Sequence, residues 1–439
     1  MTAPAVPERV DGFGLYSFSV SPVHRPRSVP ELVETLARLR AEGAPVVFRG
    51  AGRSYGPVAT NPSGPVVEMT GLNRILSFDD AAGVVRAEAG ATIGDVWRHA
   101  LPRGFWPPVV TGTEHVTLGA AVAANVHGKN HWKRGSFAEH VPEVTVLDGD
   151  GSPRRLRPEE PGMARVVGGW GEGGPVVEVA LRLKPVRTGY LDVEGFALGS
   201  LDETLRCLEE GKEDWEYQVA WVDCFPSGAA LGRSVVHRAN HSAEPGKGGA
   251  GLDLATQSLG TRVAGVVPKA LVSRLLGLFT SDPGMRWVNL GKLLATRAGG
   301  TRRYRQTLAA FNFLLDSLPD WRNAYLPGGF IQYQVFVPKE SAREVLAEAI
   351  RLQHEAGAVS YLGVLKRHRS DRFPNAYAPD GWSLALDFPV TRRGAPRLIR
   401  LCRRLDELVS RSGGGVYRAK DCVGSWERRI ANRIYTREF

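Results

Sequence analysis

Three groups of residues in this chain could do chemistry. The first is Gly50-Ala-Gly-Arg-Ser-Tyr-Gly56, which follows the apolar run Pro45-Val-Val-Phe-Arg49. A loop this rich in glycine exposes several N–H groups and can cradle a phosphate as a nest. Arg53 and Ser54 add charge-assisted and hydroxyl hydrogen bonds; the competing reading is an ordinary tight turn. The loop is not the dinucleotide fingerprint, because its third glycine is one residue late and Pro57 follows instead of an amphipathic helix, so a Rossmann fold is disfavoured. The second group runs from Thr111 to His131, where five of the nine residues from Gly119 to His127 are Gly or Ala. Such small residues let backbone approach a flat or charged ligand, or let a helix pack tightly on a neighbour. Two such stretches in one region favour a large nucleotide. The third group is scattered: Lys420 in Tyr417-Arg-Ala-Lys-Asp421, Gln332 and Gln334, and Lys366-Arg-His-Arg369. His127 and His131 stand at i, i+4, a spacing that invites a metal on a helix. Gly128 weakens such a helix and no third ligand is evident, so no metal is expected.

These residues need elements to position them. Residues 28–43 read as a helix capped by Ser28, with Leu32, Leu36 and Leu39 on one face and Gly43 at its end. Alternation over 66–90, broken at Asp79-Asp80 and Gly83, predicts strands, and 92–103 a helix opening at Thr92. Short strands return over 142–185. Beyond Pro185, helices are predicted over 201–212, 339–357 and 394–412, and strands over 215–223, 330–338, 359–366 and 382–390; residues 240–262 are a polar loop. Strands and helices in this order predict an α+β fold. The expected domains are 1–185, 186–412, and a C-terminal segment 413–439 folding back on the first.

Composition sets the outer limits. The chain has 439 residues, 43% hydrophobic, with 56 Lys+Arg against 46 Asp+Glu and a net charge of +10. That excludes a disordered chain and suggests an anionic partner or a solvated basic surface. Cys207, Cys224, Cys402 and Cys422 lack paired spacing, against zinc ribbons and disulfide scaffolds. Met1 to Val20 shows no secretory signal, and no run of about 18 apolar residues predicts a membrane span. No nucleic-acid module is recognisable.

Taken together, the two small-residue stretches resemble the flavin-binding domain of the vanillyl-alcohol-oxidase/PCMH superfamily. His127-Gly-Lys-Asn-His131, Gly135-Ser-Phe137, Ala220-Trp-Val-Asp223, Leu231-Gly-Arg233, Phe330-Ile-Gln-Tyr-Gln334, Leu365-Lys366, Gly381-Trp382, Leu386-Asp-Phe-Pro389 and Tyr417-Arg-Ala-Lys-Asp421 are similar to a branch that oxidises a hydroxyl of a lipid-linked sugar. The resemblance implies a two-domain flavoprotein, the FAD domain joined to an antiparallel-sheet substrate domain covered by helices. It places FAD against Arg49, Gly50, Ala51, Gly52, Arg53, Ser54 and Tyr55, then Gly112, Thr113, Thr117, Gly119, Ala120, Ala123, Ala124, His127 and Gly128, with Val176 and Tyr417. Arg53 stands where covalent members carry His or Cys, which implies non-covalent FAD. Ala385 replaces that branch's cysteine, Ser383 its asparagine and Asn312 a tyrosine, and the segment after Lys420 is shorter.

The implied reaction oxidises a secondary or primary hydroxyl of a sugar or sugar-like substrate by hydride transfer to flavin N5. The alternatives are the same chemistry on an aminocyclitol, aminoglycoside or other natural-product intermediate, and a flavin-binding scaffold without turnover. Lys420 acts as base or holds charge on reduced flavin, or else forms a surface ion pair with Asp421. His127 contacts flavin or substrate, or only packs. Lys129 and Lys366 are placed to bind a substrate phosphate, Gln332 and Gln334 its hydroxyls, and Trp382 and Ala385 the pocket wall. The expected location is cytoplasmic, with peripheral membrane contact if the substrate is lipid-linked. The electron acceptor stays open among oxygen, a quinone and a redox protein.

Overall fold

The computed structural model describes residues 6–246, 249–263, 267–373 and 377–420. Local chemistry sets many of its elements. The Ser28 hydroxyl accepts from the Glu31 N–H at the start of helix Val29–Ala41, and Gly43 follows it in the left-handed region. Thr92 and Asp95 form a reciprocal capping box for helix Ile93–Ala100. Helix Ala342–Ala356 stops at Gly357, where φ is +59°.

Three sheets carry the fold, which is mixed α+β. Pro7–Asp11, Phe18–His24, Val66–Glu68 and Val47–Arg49 form one, in that order. Ile75–Asp79, Val84–Glu88, Val176–Arg182, Glu143–Leu147 and Pro153–Leu156 form an antiparallel second. The third has eight strands: Arg302–Thr307, Tyr190–Leu198, Ser234–His241, Tyr217–Val222, Leu362–His368, Gly381–Pro389, Phe330–Pro338 and Gly415–Val416. One large core packs around the second sheet and a second core fills the space between the third sheet and its helices.

The third sheet has two unlike faces, because successive side chains alternate. Ile331, Tyr333, Val335 and Val337, with Trp382, Leu384, Leu386 and Phe388, enter the core beside helices Ala342–Ala356 and Ala395–Arg411. The other parity of the same strands carries Gln332, Gln334, Ser383, Ala385 and Asp387, and on the adjoining strand Lys366 and His368.

Strands Arg302–Thr307, Tyr190–Leu198 and Ser234–His241 of this sheet have no signal in the reading above. Arg302–Thr307 is an edge strand of charged residues, paired with Tyr190–Leu198, and lacks an apolar face to alternate. Among the described residues, the polar stretch after His241 carries no regular element before Arg262. Residues 421–439, with Asp421 and Cys422, lie outside the described residues.

Candidate active site

One wall of the site is backbone. Strand Val47–Arg49 delivers the loop Gly50–Tyr55, and Arg49 secures it from behind. Its guanidinium donates to the Ala59 and Asp11 carbonyls, both at 2.9 Å, and lies under Gly52, whose φ of +64° and missing Cβ make room for it. Arg49 therefore holds the loop through its side chain. The N–H groups from Gly50 to Ser54 donate to no described residue. Arg53 Nε is buried without a partner, and burial followed by the charge of Arg322 presses the Arg53 pKa down. Both guanidinia lie over the Phe13 ring, at 5.6 and 5.0 Å. A run of unspent N–H groups beside two mutually repelling cations fits the diphosphate of a dinucleotide cofactor.

The second small-residue stretch meets this loop. A Cβ on Gly50 would run into Thr117 Oγ1 and lie 3.2 Å from Ala120 Cβ. Gly119 lets helix Leu118–Ala123 sit on Ala89, where an added Cβ would come within 2.9 Å of the Ala89 methyl. The Gly112 carbonyl accepts from Leu315 N–H at 3.0 Å, and the Thr113 hydroxyl donates to Asp316 at 2.7 Å. The Ala123 carbonyl accepts from Trp170 N–H, and the Ala124 carbonyl accepts the Tyr417 hydroxyl at 3.1 Å. Gly128 packs against Val110, and Val176 is buried at the start of its strand, next to Val177, whose carbonyl accepts from Ala89 N–H.

The other wall is side chains from the third sheet. His127 Nε2 pairs with the Gln334 amide at 3.0 Å, and its ring lies 5.0 Å from His368 and 5.3 Å from Tyr417. Burial, then the charge of Lys366, holds the His127 pKa well below its ordinary value, so the ring is neutral at neutral pH. Gln332 donates to the buried Asp387 carboxylate at 2.6 Å. Burial pushes the Asp387 pKa up, against the opposing pull of Gln332 and the Lys420 charge. Lys420 Nζ lies 3.8 Å over the Tyr55 ring. Its own N–H donates to the Tyr417 carbonyl and Tyr55 N–H donates to the Ala419 carbonyl, so first loop and sheet edge jointly fix the lysine.

The two remaining lysines differ. Lys129 donates to the carbonyls of Phe311 and Asn312, and burial followed by Lys366 lowers it to about 7. The Lys366 side chain makes no hydrogen bond or ion pair with a described residue, and burial lowers it to about 8. The basic run around it is not a solvated patch. Arg367 turns to the helix side and pairs with Glu209 and Asp380, and Arg369 pairs with Glu139.

One expectation needs correction. Trp382 does not wall the site: the strand alternation puts it in the opposite core, 5.5 Å from the Arg367 guanidinium carbon. His127 and His131 do not share a helix, because the local helix begins at His131, whose Nε2 pairs with the Ser136 hydroxyl. Asp387, His368 and Arg322 were missed. Period 2 along Gly381–Pro389 would have placed Asp387 beside Ala385; nothing local marks Arg322.

Comparison with known proteins identifies the family and its cofactor. The model of an FAD binding domain matches residues 20–157. Decaprenylphosphoryl-beta-D-ribose oxidase of Mycolicibacterium smegmatis is 32% identical over 427 residues, covering 95% of this chain and 90% of that protein. Alditol oxidase of a Streptomyces species is 29% identical over 173 residues, 39% of this chain and 41% of that protein. An uncharacterized Streptomyces coelicolor protein is 31% identical over 73% of this chain and 86% of its own length. The chain is an FAD-dependent oxidoreductase and belongs to the vanillyl-alcohol-oxidase/PCMH family of sugar and alditol oxidases.

Proposed function

We propose that this enzyme oxidises a hydroxyl of an anionic sugar-like substrate to the carbonyl. The observation that carries the reading is the convergence, on one sheet face, of Lys420, the Gln332–Asp387 pair, the Gln334–His127 pair and the unpaired cation Lys366. Bound FAD supplies a two-electron acceptor for the hydride. The protein's part is to orient the hydroxyl and take its proton. Lys420 sits where it can hold the hydroxyl and offset the charge left as the proton departs. Asp387, with its raised pKa and the charge of Lys420 in reach, gives that proton a destination. Neutral His127 donates or accepts a hydrogen bond in the tautomer that Gln334 selects. Lys366 binds a phosphate or carboxylate on the substrate as a point charge, and the same cation disfavours a cationic aminoglycoside. The FAD is held without a covalent bond, since Arg53 occupies the first-loop position.

The test is anaerobic bleaching of the flavin spectrum against phosphorylated sugars, free sugars and aminocyclitols. Bleaching by a phosphorylated sugar is expected. Bleaching by aminocyclitols alone overturns the substrate class, and no bleaching by any of the three overturns the reaction.

A further inference from the structure

The positive charge of the chain is not spread evenly. Between residues 262 and 305 there are nine Lys or Arg and one acid, Asp282, so this tenth of the chain supplies eight of its ten net charges. Among the described residues, eight of the sixteen exposed large hydrophobic side chains lie in the same stretch. Leu271, Leu275 and Leu278 follow one another at i, i+4, i+7 along helix Lys269–Leu276 and the turn Gly277–Phe279, and Leu278 is 75% exposed. Trp287 on helix Asp282–Ala298 is 72% exposed, and Leu294 repeats its side one heptad later.

These helices are anchored from behind. Met285, Asn289 and Leu293 are buried, and Asn289 accepts the Trp221 indole N–H at 2.8 Å. Arg286, Arg297 and Arg302 are exposed and form no ion pair with a described residue, whereas Arg303 and Arg305 pair with Glu194 and Asp192. Helix Lys269–Leu276 packs on the turn Trp321–Tyr325, whose Tyr325 ring stacks on Phe330 at 4.5 Å, beside the site. No helix among the described residues is long and apolar enough to cross a membrane.

We infer that helices Lys269–Leu276 and Asp282–Ala298, with the turn Gly277–Phe279 and the start of strand Arg302–Thr307, dock the enzyme side-on against an anionic bilayer surface. Headgroup phosphates take the unpaired arginines, and the interfacial layer takes the exposed Leu, Phe and Trp. A second copy would bring the same excess of eight positive charges and be repelled. A nucleic acid would match the charge but leave the apolar side chains in water. The inference rests on surface chemistry and stands apart from the oxidation proposed above, so either can fail alone.

The test uses the full-length FAD-bound protein and sedimentation with two kinds of vesicle, phosphatidylcholine alone and phosphatidylcholine mixed with phosphatidylglycerol. Binding to the mixed vesicles only, weakened by salt, is expected. L278E/W287E and R297E/R302E each lower that binding by about tenfold or more. Both pairs are at exposed positions, and an unchanged flavin spectrum and thermal midpoint show that they still fold. Absence of binding to the mixed vesicles overturns the inference. So does equal binding to the neutral ones, binding that survives both variants, or binding to an oligonucleotide in place of vesicles.

Discussion

The two walls of the site are made of different materials. The loop wall, Gly50–Tyr55 against Leu118–Ala123, offers unspent backbone N–H groups and small side chains. The sheet wall offers Lys366, Gln332, Gln334 and Asp387, one functional group per position. A backbone wall reads shape and phosphate and tolerates few substitutions, since any side chain intrudes. A side-chain wall reads functional groups and can be respecified residue by residue. Ala385 and Ser383, two of the positions read above as departures from the lipid-linked-sugar branch, lie on the side-chain wall. On the function proposed above, the first wall would hold the cofactor and the second would select the substrate.

The largest expected effect separates the walls through Lys420, which touches both. Lys420→Ala lowers the rate of substrate-driven flavin bleaching by about 10²–10⁴-fold with FAD content unchanged; loss of FAD along with activity would mean the walls are not separable. Lys366→Met raises KM for a phosphorylated sugar by about 10–100-fold, the scale of one charged hydrogen bond, and leaves kcat nearly as it was. Equal effects on phosphorylated and neutral sugars would remove Lys366 from substrate binding. On the loop wall, Gly50→Val drives a side chain into Thr117, at a cost of about 1–3 kcal/mol. It shows as less visible absorbance per protein, with the catalytic constants of the FAD-bound fraction retained.

The smallest effect concerns pH. Burial, then Arg369 and Lys366, lowers His131 to about 3, against an ordinary value of 6.5. Between these values the unfolded chain binds the proton that the native chain refuses. Stability from this group is therefore complete above pH 6.5 and falls as the pH drops, by about 2 kcal/mol at pH 5. His131→Gln narrows the gap between thermal midpoints at pH 7 and pH 5; an unchanged gap would show that His131 takes no part in it.

The same contrast explains what the sequence made legible. Glycine and alanine enrichment announces a backbone wall because composition itself is the structural device there, so Gly50, Gly119 and their neighbours could be read directly. The strand Phe330–Pro338 was legible from alternation, and that alternation put Gln332 and Gln334 on one face. The sheet wall as a whole was not legible. Its residues arrive from three strands out of chain order, and only the pairing of Gly381–Pro389 with its neighbours brings Asp387 to Gln332. Trp382 was misplaced for a related reason: aromatic character says that a strand residue is buried, and the parity of the strand decides on which side. Arg322 enters from a short turn with no periodic signal, and its charge matters only because the fold sets it near Arg53.

One backbone contact has a consequence in time. The Tyr55 N–H reaches the Ala419 carbonyl and so ties the first loop to the residue before Lys420. A ribosome adding about 5–20 residues per second needs on the order of tens of seconds to travel between those two positions. Throughout that interval the nascent chain has its loop wall in sequence but no lysine to complete the centre. A product truncated before residue 420 keeps the sequence of both cores but lacks Lys420, and on the role proposed for that lysine it would bind FAD without oxidising substrate.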